Sequence, residues 1–106
     1  MAKVIWSEPA LNDIDNIAHY IALDNKSAAK NLVKTVFNKV NRLEDHPRSG
    51  RKPKELGKQD RFREIIVGPC RIFYRFDEKN VYIIFVMRSE RLLHRYLIDS
   101  RLRESP

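Results

Sequence analysis

The chain has 106 residues and carries 21 Lys and Arg against 14 Asp and Glu, a formal net charge of +7. With 42% apolar and 9% aromatic residues it can build one compact core, so a single domain over residues 1–106 is expected and a disordered polyelectrolyte is excluded. One cysteine, Cys70, rules out an internal disulfide framework, three scattered histidines give no zinc-ligand spacing, and the longest apolar run, Val81 to Met87, is far too short to span a bilayer. The expectation is a cytoplasmic protein with no metal, no cofactor, no membrane partner and no export signal in its first residues.

Ala2 to Trp6 reads as a short strand that stops at Ser7-Glu8-Pro9, where Ser caps a helix whose first turn accepts Pro. Leu11, Ile14, Ile17, Ala18 and Ile21 then recur at helical spacing with polar residues between them, predicting an amphipathic helix to about Asp24-Asn25. A second helix opens at Lys26-Ser27, carries Ala28, Ala29, Leu32, Val33, Val36, Phe37, Val40 and Leu43 on one stripe, and stops before His46-Pro47. The short gap between them makes an αα-hairpin. Residues 47–60 combine two Pro, two Gly and five cations, which predicts a basic loop over the surface. Three strands follow, Arg61–Val67, Cys70–Asp77 and Val81–Arg88, with connections short enough for an antiparallel meander. A last helix is expected after Ser89-Glu90, with Leu92, Leu93, Tyr96 and Leu97 inward. The fold class is therefore α+β: an N-terminal strand, a helical hairpin, a three-stranded meander joining one twisted sheet, and a short C-terminal helix.

The charge is unevenly placed. Residues 1–46 hold six cations and six acids, whereas residues 47–106 hold 15 cations and 8 acids, so the whole surplus follows the hairpin. Arg61, Arg63, Arg71, Arg75 and Arg88 fall on the predicted strands, and the expected result is a cationic sheet face opposite the hairpin, suited to an anionic partner. Strand arginines also serve as cross-strand partners for acids such as Glu64 or Asp77. No Gly-rich phosphate loop and no hydrolase signature is present. Metal-independent RNA cleavage stays chemically open, with Arg71 and Arg88 clamping a phosphate and His94 and Tyr96 moving protons; the structural alternatives are an exposed His94 and a core Tyr96. Cys70 reads as a small buried hydrophobe and Trp6 as core.

Several segments together look familiar. Ala10-Leu11-Asn12-Asp13-Ile14-Asp15-Asn16-Ile17-Ala18-His19-Tyr20-Ile21, Ala28-Ala29, Leu43-Glu44-Asp45-His46-Pro47-Arg48-Ser49-Gly50-Arg51, Glu55-Leu56, Arg63-Glu64, Cys70-Arg71-Ile72-Phe73-Tyr74-Arg75 and Val86-Met87-Arg88 resemble, in order and spacing, the RelE/ParE superfamily of toxins from bacterial type II toxin–antitoxin modules. The hairpin places the chain nearer the ParE branch. The resemblance implies a helical hairpin on an antiparallel sheet and a cognate antitoxin whose flexible, acidic segment wraps the toxin. On the ParE side it implies poisoning of DNA gyrase without catalysis, with Arg61, Arg63, Arg75, Arg88, Arg91, Arg95 and Arg101 as contact candidates. On the RelE side it implies ribosome-dependent mRNA cleavage through Arg71, Arg88, His94 and Tyr96.

Overall fold

The computed structural model describes residues 2–57, 61–91 and 93–104, with the side chains of Arg95, Tyr96 and Glu104 outside that description. The elements run β1 (Lys3–Trp6), α1 (Glu8–Ala22), α2 (Lys26–Asn41), β2 (Arg63–Val67), β3 (Cys70–Phe76), β4 (Asn80–Arg88) and α3 (Arg95–Glu104), with single 3-10 turns at Arg42–Glu44 and Lys54–Leu56. Ser7 caps α1, its Oγ accepting the Ala10 N–H at 3.1 Å, and Asn25 caps α2 through the Ala28 N–H at 3.0 Å. Both predicted helices of the hairpin and all four strands are present within a few residues of their expected limits.

The four strands form one sheet in the order β1-β4-β3-β2. β2, β3 and β4 are the antiparallel meander, and β1 lies parallel to β4 with Trp6 opposite Ile83. Gly68 makes the tight turn between β2 and β3, where its φ of +55° would strain any residue with a Cβ. The hairpin packs on one face of the sheet. Ala10, Ile14, Leu32, Val36, Val40 and Leu43 bury against Val67, Cys70, Ile72, Tyr74, Val81, Ile83 and Val86. Each fully buried aliphatic side chain contributes about 1.5–3 kcal/mol there.

The other face departs from the expectation of an open cationic surface. It carries a second, smaller core of Phe62, Phe73, Ile84, Met87, Leu93 and Ile98, covered by α3 and the segment leading into it. The cause is visible in β4, whose unbroken apolar run Val81–Met87 needs cover on both sides. A register shift at Phe73/Tyr74 helps to turn both Ile84 and Met87 toward this second core.

Two further expectations are corrected. Residues 47–57 are not simply a surface loop, because Gly50 and Pro53 are buried and Arg51 exchanges backbone hydrogen bonds with Glu64 of β2 at 2.8 and 3.0 Å. The Tyr74 hydroxyl fastens this segment, donating to the Pro47 carbonyl at 2.7 Å and accepting the Gly50 N–H at 2.9 Å. The last helix begins at Arg95 rather than just after Glu90. The backbone of Arg91 and Leu93 is committed elsewhere: the Arg91 carbonyl accepts from Arg71 and the Leu93 N–H donates to Glu55. Leu92 lies outside the described residues.

Candidate functional site

Arg71 is the residue on which a phosphate-cleaving site would have to be built, and β3 turns it onto the α3 face beside Phe73. Its guanidinium sits 5.0 Å from the Phe73 ring centre. Nε donates to Glu64 Oε1 at 2.7 Å, and Nη2 to Glu64 Oε2 at 3.1 Å and Glu55 Oε1 at 2.9 Å. Nη1 donates to Glu55 Oε2 at 2.8 Å and to the Arg91 carbonyl at 3.1 Å. A guanidinium has five N–H donors, and here each has an acceptor. Glu64 is 1% exposed and also lies 3.4 Å from Arg51 Nε. Arg71 holds the Glu55 carboxyl far below its ordinary 4.5, at about 2, and the Leu93 N–H adds to the effect. Reciprocally, the two carboxylates push the Arg71 guanidinium still further from deprotonation. The sequence offered Glu64 as a cross-strand partner. Glu55 was missed as a partner, because only the folded 54–56 turn brings it to the sheet.

Arg88 points to the opposite side. It pairs with Cys70 in the sheet register, one residue beyond the Arg71–Met87 pair, so the pleat sends it toward the hairpin. Its guanidinium lies 5.0 Å from the ring centre of Tyr20 on α1, and Nε bonds Glu90 Oε1 at 2.7 Å. The proposed phosphate clamp of Arg71 and Arg88 is thus split between two faces. His94 is exposed, and the Tyr96 side chain lies outside the described residues. Cys70 is buried, which raises its thiol to about 11 and leaves it a poor nucleophile.

The remaining candidate arginines have diverse surroundings. Arg63 is on the hairpin face and donates to the Gly50 carbonyl at 2.8 Å. Arg75 stacks 4.3 Å from the Tyr82 ring centre. Arg61 and Arg91 are exposed, and the Arg95 side chain lies outside the described residues. Arg101 forms a bidentate pair with Asp13 of α1, at 2.6 and 3.0 Å, lies 4.3 Å from the Phe85 ring centre, and donates to the Ile84 carbonyl at 3.2 Å. Asp13 in turn accepts the Val86 N–H at 3.0 Å. Because β1 reaches only to Ile83, these two side chains close the outer edge of β4 where it has no neighbouring strand.

Of the concave surfaces around this framework, one of about 380 Å³ is lined by Arg71, Glu55 and Glu64 themselves, and two lie away from them. One of these two, also of about 380 Å³, opens between α1, the end of β4 and α3, and includes Asn16, Tyr20, Arg88, Arg91 and Leu97. The other, of about 490 Å³, is an apolar groove along the outer side of the hairpin, floored by Ala18, Ala22, Ala29 and Val33 and edged by Lys26, Lys30 and Lys34 of α2 and by Asp15 and His19 of α1. Among the described residues no group of three or more His, Cys, Asp or Glu side chains is placed to hold a metal ion. No helix among them is long and apolar enough to cross a membrane.

Residues 4–93 match the family model described as the ParE toxin of the type II toxin–antitoxin system parDE. The chain belongs to the ParE toxin family. This ParE toxin has the fold of two solved relatives. A chain from the chromosomal ParDE toxin–antitoxin system of P. aeruginosa superposes with a TM-score of 0.67 at 22% identity, covering 83% of this chain and 96% of that one. A chain from the RelBE2 toxin–antitoxin complex of Mycobacterium tuberculosis superposes at 0.55 and 20% identity, covering 82% and 96%. No curated protein sequence matches the ParE toxin described here. The fold is shared with chains of both a ParDE system and a RelBE2 complex, so the fold by itself does not select a target.

Proposed function

We propose that this ParE toxin is held inactive by a cognate antitoxin and, when released, inhibits DNA gyrase by binding it, which would stabilise the replicon that encodes the pair. The observation that carries the choice of target is the saturation of Arg71. A phosphate-clamping arginine must offer donors to the substrate, and this one has all five directed at Glu55, Glu64 and the Arg91 carbonyl. Two carboxylates beside it would also repel an incoming phosphodiester. With Arg88 across the sheet, the two arginines of the nuclease reading cannot clamp one phosphate between them. A protein that acts by binding needs none. Gyrase, ribosome and antitoxin are all met in the cytoplasm, and the toxin is placed there on that ground.

The apolar hairpin groove with its line of Lys26, Lys30 and Lys34 suits the acidic, flexible segment expected of an antitoxin, which would lay an amphipathic stretch on Ala22, Ala29 and Val33. The target is tested by inducing the toxin alone and following DNA and protein synthesis separately while mapping mRNA 5′ ends. Early arrest of DNA synthesis with intact messages is expected. Codon-positioned cuts in mRNA, with translation failing first, would establish the ribosome-dependent nuclease instead.

A further inference from the structure

Tyr20 is 61% exposed at the C-terminal end of α1, an unusual place to leave a large aromatic ring in a domain whose other rings are mostly packed. It is not loosely placed. Arg88 lies 5.0 Å from its ring centre, and Asn16, Arg91 and Leu97 share the same 380 Å³ cleft. The base of the cleft is rigid, because Asp13, which lines it, is fastened to the Val86 N–H and to the Arg101 guanidinium. That pairing neutralises the Asp13 charge. What the cleft presents outward is a tyrosine face, an apolar floor from Ile17 and Leu97, and the two cations Arg88 and Arg91.

Exposed Tyr and Arg around a small apolar floor is the composition of a binding hot spot between proteins. We infer that this cleft is the surface through which the toxin grips its protein target, and that it takes an acidic segment in which a carboxylate stands beside an apolar side chain. The carboxylate meets Arg88 and Arg91, and the apolar neighbour packs on Tyr20 and Leu97. Nucleic acid fits less well. Two cations, of which Arg88 also bonds Glu90 at 2.7 Å and keeps its remaining N–H groups for a ligand, can meet a single carboxylate but are too few for a run of phosphates. The inference rests on reading the chain as a target-binding toxin, and it adds Tyr20, which lies outside the basic half of the sequence, to the residues that act on the target.

The test compares Tyr20→Ala, Tyr20→Phe and Arg91→Glu with the wild type in three assays: growth arrest on induction, binding of the purified protein to purified DNA gyrase at two salt concentrations, and binding to a duplex DNA fragment. Because Tyr20 and Arg91 are both exposed, all three variants should melt within a few degrees of the wild type. Tyr20→Ala and Arg91→Glu are expected to lose at least tenfold in gyrase affinity and to abolish arrest, Tyr20→Phe to retain both, and the Arg91→Glu loss to shrink at high salt. A Tyr20→Ala toxin that arrests growth as the wild type does would overturn the cleft assignment. If wild-type protein leaves gyrase unbound, the gyrase reading falls and growth arrest by the same variants still decides the cleft. If duplex DNA binding, rather than protein binding, is what Tyr20→Ala loses, the acidic protein ligand is overturned.

Discussion

Arg71 and Glu55 meet through two parallel hydrogen bonds of 2.8 and 2.9 Å, and this pair joins the third strand to the 54–56 turn and, through the Leu93 N–H, to the approach of the last helix. An arginine that sequence pattern offers as a nuclease residue is thereby the central tie of the second core. Removing it should unfold rather than merely inactivate. Arg71→Ala leaves Glu64, 1% exposed, as an uncompensated buried carboxylate, and a loss of about 3–5 kcal/mol is expected. Glu55→Gln keeps the shape and one acceptor oxygen and should cost less, about 1–2 kcal/mol, seen as a lower urea midpoint with an unchanged slope.

The same pair sets a pH dependence. The Glu55 carboxyl sits at about 2 instead of 4.5, so between these values the folded chain binds fewer protons there than the unfolded chain. Its contribution to stability is complete above about 4.5 and is lost as the pH falls toward 2. The melting temperature of the wild type should therefore exceed that of Glu55→Gln at pH 5 and converge on it toward pH 2. A constant gap across that range would show that Glu55 is not held by Arg71.

How far the sequence could lead follows from the range of each interaction. Local periodicity and the Ser7 cap were enough for the hairpin, because Ser7 and the Ile14–Ile17–Ile21 and Leu32–Val36–Val40 spacings act within a turn or two, whereas the Asn25 cap showed only in the structure. The strands were legible from apolar runs and from the turn at Gly68. The closure of the second sheet face was not, although the all-apolar β4 held the clue that both sides needed cover. Asp13 and Arg101 are 88 positions apart, and Arg71 and Glu55 are 16 apart across an irregular segment, so no local spacing announces either pair. Tyr20 stood inside a helix pattern with nothing to mark it as exposed beside Arg88.

The segment that carries Glu55 depends on Tyr74. Its hydroxyl is buried against the Pro47 carbonyl and the Gly50 N–H, and burial also raises its pKa. Tyr74→Phe strands both backbone groups and should cost about 1–3 kcal/mol. Gly50→Ala should be at least as damaging, since the new Cβ would stand 2.5 Å from the Tyr74 hydroxyl oxygen and 2.8 Å from the Glu64 carbonyl oxygen. Thermal melts of both variants check this, with the Gly50→Ala loss relieved in part when Tyr74→Phe is added.

Asp13 and Arg101 connect α1 to α3 across the unpaired edge of β4. A double-mutant cycle with Asp13→Asn and Arg101→Met should return a coupling of about 1–3 kcal/mol, as expected for a partly buried bidentate pair. In hydrogen exchange, either single variant should release the Val86 amide first, because that N–H is held by Asp13. Additive losses would mean that the two side chains act independently.

Inhibition of gyrase by binding, with Arg71 serving the fold, is the activity proposed for this ParE toxin. It is tested most directly by titrating purified toxin into a supercoiling reaction of gyrase on relaxed plasmid. Dose-dependent loss of supercoiled product is expected, with no RNA cleaved by the same preparation on translating ribosomes. Full supercoiling at every dose that arrests growth, together with ribosome-dependent cuts in mRNA, would contradict it.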